Sequence, residues 1–208
     1  MATTKISILK LTQLAVLTAV MVVFAVTPLG YLHVGVIEIS FMMLPVVIGA
    51  ILVGPAGGAL LGGVFGLTSF IQCFGASTFG EFLLGLNPLF TLLLCFIPRI
   101  LAGAIAGLVF KVISRADKTK TVSFFVTTTV GALLNTLLFM LSLYVFFWHT
   151  TAFTDAMGAT LPIDHYAKFA VAFVGFNGLL EAGVCLVVGA GIAKAITHLL
   201  PDKKATQA

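Results

Sequence analysis

Apolar stretches near or above 20 residues recur along this chain, with Gly, Pro and polar residues marking turns between them. A helix needs about 20 such residues to cross a hydrocarbon core of about 30 Å. Charged residues make up 9% of the 208 residues, the apolar set 60%, and the mean hydropathy is +1.19. No water-soluble domain of this size presents such a composition without aggregating, so the chain reads as an integral membrane protein.

The turn signals predict an all-α bundle of six transmembrane helices forming one domain over residues 1–208. Span one covers about Leu9 to Val26 and reads as a retained helix rather than a removed signal. A mixed segment with His33 and Glu38, too polar for the bilayer centre, leads to span two at about Ser40 to Val53. Span three runs from about Ala59 to Phe74, and span four from about Phe82 to Ile113, interrupted by Pro88 and Pro98. Span five covers Val122 to Trp148 and span six Tyr166 to Ile196.

Six spans place both termini on one side. That side collects Lys5, Lys10, Lys111, Arg115, Lys118, Lys120, Lys194, Lys203 and Lys204, while the other holds Lys168 with Glu38, Glu81, Asp155 and Asp164. The asymmetry puts both termini in the cytoplasm of a multi-pass protein of the cell membrane. It also explains the basic residues without any nucleic-acid partner.

Small residues mark packing faces. Gly54, Gly58, Gly62 and Gly66 recur every four residues, Gly103 and Gly107 repeat the spacing in span four, and Ala15 with Ala19 does so in span one. Such positions let helix backbones approach closely in lipid, where the hydrophobic effect does not drive association. For the alanine pair, spacing leaves open internal packing or docking of another membrane protein.

Arg99 lies near the middle of an apolar run with no other formal charge within ten residues on either side. A charge at a helix centre costs about 2.5 to 3.5 kcal/mol on insertion scales, so it needs a partner or a wet cavity. Other polar residues at membrane depth are Ser69, Gln72, Asn87, Asn135, Asn177 and Glu181. Each amide has a simpler reading as an interhelical hydrogen-bond clip. Arg99 and Glu181 either form a buried ion pair or serve a substrate. Amides spread over four spans with so few charges favour one cavity open to the outside.

Bond-breaking chemistry finds little support. The chain has no HExxH, no GxSxG and no phosphate loop ending in Lys and Ser/Thr. Its four histidines are scattered, and Cys73, Cys95 and Cys185 read as small core hydrophobes. Without a nucleotide motif or an internal repeat, the chain fits a small binding subunit that borrows its motor.

The segments GLTSFIQCFG at 66–75, LNP at 86–88 and IPRILAG at 97–103 resemble the substrate-binding S components of energy-coupling factor (ECF) vitamin transporters, most of all the pantothenate type. The resemblance implies capture of a vitamin outside the cell and partnership with a membrane coupling subunit and two ATPases. ATP and Mg would belong to those ATPases, and this chain would be no enzyme and hold no cofactor or metal. Ala15 and Ala19 would meet the coupling subunit, the segment Pro28 to Ile39 would gate the pocket, and the subunit would topple in the membrane to release its cargo. Pantothenate offers a carboxylate, an amide and two hydroxyls, suited to Arg99 and the amide set with Trp148, Phe70 or Tyr31 over the dimethyl end. Riboflavin, folate and a pyridoxine-like vitamin are the alternative substrates, and an intramembrane enzyme or an assembly factor are the alternative classes.

Overall fold

The computed structural model describes residues 8–27, 30–34, 37–117 and 121–160, with the single positions Gly183, Val187 and Gly191. The described residues form α1 (Ile8–Val26), β1 (Tyr31–Val34), β2 (Ile37–Ser40), α2 (Met43–Leu52), α3 (Pro55–Gln72), α4 (Thr78–Leu86), α5 (Pro88–Ile113), α6 (Thr121–Phe147) and α7 (Thr151–Thr160). Among them α1, α5 and α6 are long and apolar enough to cross a membrane. Helix α3 is almost as long as α1, and its glycines trade hydropathy for close packing. Helix α2 has 10 residues, about 15 Å at 1.5 Å per residue and half the hydrocarbon thickness. The expected sixth span, with Asn177, Glu181 and Cys185, lies outside the described residues except for Gly183, Val187 and Gly191.

Two expectations need correction. The mixed segment after α1 is a β-hairpin, with β1 antiparallel to β2 and His33 opposite Glu38, so among the described residues the regular structure is helical apart from this one short sheet. Antiparallel pairing satisfies the backbone polar groups of a segment too polar and too short to be a spanning helix. The long fourth span is divided once, at Asn87, and not at Pro98, which sits inside an unbroken α5. Pro88 occupies the first turn of α5, where no N–H is required, and Asn87 caps it.

Helices α3 and α5 pack antiparallel along a glycine seam. A Cβ added to Gly58 would stand 2.2 Å from the Gly103 carbonyl oxygen, one on Gly62 2.2 Å from that of Arg99, and one on Gly66 2.8 Å from that of Cys95. Each step of four along α3 meets a step of four back along α5, so the sequence stripe is a continuous line of backbone contact. Gly107 extends it to Pro55.

Two apolar clusters flank this seam. Met21, Met43, Val47, Leu61, Phe65 and Ala106 belong to the first, which joins α1, α2, α3 and α5. Leu83, Leu94, Met140, Leu143, Phe147 and Phe153 form the second, from α4, α5, α6 and α7. Helix α1 is the least embedded, with Met21 its one buried residue.

Candidate functional site

Arg99 sits where the two clusters meet. Its residue is 9% exposed, and its guanidinium carbon lies 5.4 Å from the ring centroid of Phe65 on α3 and 4.8 Å from that of Phe139 on α6. Nη1 donates to the Leu94 carbonyl at 2.6 Å and Nη2 to the Ser69 hydroxyl at 3.4 Å. Nε is buried and has no hydrogen-bond partner among the described residues. Rings and carbonyl dipoles lower the cost of a buried cation, but an Nε–H without an acceptor still costs about 1 to 3 kcal/mol.

The guanidinium borders a cavity of about 60 Å³ whose lining includes Ser69, Gln72, Ser77, Thr91, Cys95 and Phe139. This is well below the 300 to 1,000 Å³ typical of a small-molecule pocket. It suits one polar end of a ligand and not a whole vitamin. The Oε1 of Gln72 is also buried there without a partner among the described residues. Arg99 and Gln72, both on the lining of one void, thus each carry a buried polar atom whose hydrogen-bonding capacity is unused among the described residues.

Local sequence explains how the lining is held. Ser77 closes the start of α4 by accepting from the Gly80 N–H at 3.0 Å. Thr91 turns its hydroxyl back to the Asn87 carbonyl at 2.9 Å, and it shares a face of α5 with Cys95 and Arg99 at spacings of four. That spacing is legible in the sequence, so Thr91 and Cys95 were open to detection. Phe65, one turn before Ser69, was too. Cys73 and Cys95 are buried in the lining, and no group of three metal-ligating side chains occurs among the described residues.

The structure brings Ser69, Gln72 and Arg99 together at this cavity, and Asn87, Asn135 and Trp148 are not on its lining. Asn87 Oδ1 accepts from the backbone N–H groups of Leu89 and Phe90 at 3.1 and 3.2 Å, as the cap of α5. Asn135 lies on α6 one turn before Phe139 and is 6% exposed. Its Oδ1 lacks a partner among the described residues, as does the Thr127 hydroxyl two turns earlier. Trp148 stacks on Tyr144 at 6.4 Å and meets Phe153 edge-on at 6.3 Å. Phe70 stands edge-on to Phe74 at 5.3 Å, and Tyr31 opens the hairpin. Asn177 and Glu181 lie outside the described residues. Ala15 and Ala19 are both exposed on α1.

A larger hollow of about 470 Å³ lies between α1 and α2 and shares no residue with the Arg99 cavity. Val16, Leu17, Phe24, Leu44 and Ile48 line it with almost no polar surface, so it offers little to orient a hydrophilic ligand.

A model of the family described as ECF transporter, substrate-specific component, matches residues 9–193. The chain is also 30% identical over 167 residues, 76% of its length and 77% of the relative's, to the pantothenic acid transporter of Lactococcus lactis subsp. cremoris.

Proposed function

Given that this chain belongs to the family of substrate-specific components of ECF transporters, we propose that its substrate is pantothenate and that Arg99 receives the carboxylate. The observation that carries the reading is the buried guanidinium on the lining of the cavity, whose Nε has no hydrogen-bond partner among the described residues. A carboxylate accepts from Nε and Nη2 together, a charge-assisted pair about twice as strong as a neutral hydrogen bond. Ser69 and Gln72 then stand beside the same end of the ligand. The amide and hydroxyls of pantothenate fall to Asn87, Asn135, Asn177 and Glu181, with Trp148 at the dimethyl end. The small cavity must widen to admit the whole molecule.

In this reading the chain is a single domain of six spans with both termini in the cytoplasm, a multi-pass protein of a prokaryotic plasma membrane. It captures the vitamin outside and holds no cofactor. A membrane coupling subunit docks on Ala15 and Ala19, and two ATPases bind ATP and Mg and drive release. The name of the relative, a pantothenic acid transporter, supports the substrate.

Competition against radiolabelled pantothenate on the purified chain tests the proposal. Unlabelled pantothenate should displace the label, while riboflavin, folate and pyridoxine should not. Pantothenol, which carries an alcohol in place of the carboxylate, should compete at least tenfold less well, as loss of about 1.4 kcal/mol requires. Binding of riboflavin or folate in place of pantothenate would overturn the substrate assignment.

A further inference from the structure

We propose that Pro98 is a positioning residue for the Arg99 guanidinium, an inference that rests on the substrate reading above. In a regular helix the carbonyl of residue 94 accepts the N–H of residue 98. Proline has no N–H, and Pro98 lies inside α5, so the Leu94 carbonyl is left without its helical donor. Leu94 is 1% exposed, and in lipid no water replaces the missing donor. Nη1 of Arg99 fills the vacancy at 2.6 Å, a short charge-assisted bond.

The consequence concerns which edge of the guanidinium faces the ligand. Nη1 is held by Leu94, and the rings of Phe65 and Phe139 restrain the plane. What remains is the edge formed by Nε and Nη2. Nε has no partner among the described residues, and Nη2 makes a 3.4 Å bond to Ser69, which lines the cavity. This is the pair of donors that takes a carboxylate side-on. Pro98 thus presents that edge by making a carbonyl available for the other. An ordinary residue at 98 would bring its own N–H to the carbonyl, so that Nη1 shares the acceptor with a second donor and is held less firmly.

This arrangement separates stability from ligand discrimination, which a merely structural proline would not do. Pro98→Ala restores the helical hydrogen bond and removes a residue unfavourable to helix interiors, so the variant should remain folded. The same change should weaken pantothenate binding about tenfold while pantothenol binding stays within about twofold, because the alcohol does not use the bidentate edge. Pro98→Ser returns the same N–H with a different side chain and should narrow the acid-to-alcohol ratio equally. The inference fails if both ligands weaken together or if the ratio keeps its native value. If the unsubstituted chain does not prefer acid to alcohol, the carboxylate reading of Arg99 has failed instead, and the two failures are told apart by that control.

Discussion

The seam between α3 and α5 makes a strong claim about Gly62. A methyl group there would stand 2.2 Å from the Arg99 carbonyl oxygen and 2.7 Å from its carbon, where ordinary contact begins at 3.4 Å. The backbones must therefore part by roughly 1.2 Å, or the seam must rotate. Overpacking of this kind costs about 1 to 3 kcal/mol, and replacing glycine by alanine inside a helix returns up to about 1 kcal/mol. Gly63 supplies the control, because a Cβ there meets nothing nearer than Ile100 at 3.9 Å. Both variants gain the same helix propensity, so their difference isolates the steric cost and should equal about 1 to 3 kcal/mol. Scanning fluorimetry in detergent, followed by equilibrium unfolding in SDS, should rank Gly63→Ala at or above the native chain and Gly62→Ala below it. Parting the helices also lengthens the 3.4 Å bond from Arg99 to Ser69, so Gly62→Ala should lose affinity for pantothenate as well. Equal stability of the two variants would refute the close approach at Gly62.

Two further substitutions probe other parts of the account. Ala15 and Ala19 are exposed on α1, so replacing both with leucine should abolish uptake in cells that supply the coupling module and leave vitamin binding by the purified chain within about twofold; loss of binding would place them in the fold or the pocket. Asn87→Ala removes the cap of α5 and should destabilise the chain by about 1 kcal/mol, whereas Asn87→Ser keeps a capping oxygen and should cost only a few tenths; the stable Asn87→Ser variant should still bind pantothenate more weakly, and unchanged binding would confine Asn87 to its role as a cap.

Much of the helical framework was legible because lipid makes hydropathy an almost direct readout of membrane depth. The limits expected for spans one and five fall within a residue or two of α1 and α6, and the glycines expected to be packing faces line the α3–α5 seam. Proline was harder to read. A proline in a helix either breaks it or is rescued by another donor, and only the spatial closeness of the Arg99 side chain to the Leu94 carbonyl decides which. The hairpin was hidden because Tyr31–Val34 and Ile37–Ser40 are each four residues long, too few for a periodicity to stand out. At the site, isolation in charge picked out Arg99, and polarity at depth picked out Ser69 and Gln72. Polarity alone does not reveal a cap, but at Asn87 the proline that follows marks a helix start.

Titration of Arg99→Gln with pantothenate and with pantothenol addresses the central claim most directly. Removing one member of a buried, hydrogen-bonded charge pair costs about 2 to 5 kcal/mol, so pantothenate affinity should fall by roughly 30-fold or more while pantothenol affinity changes little. A variant that stays folded and still prefers the acid by the native margin would contradict the assignment of the carboxylate to Arg99.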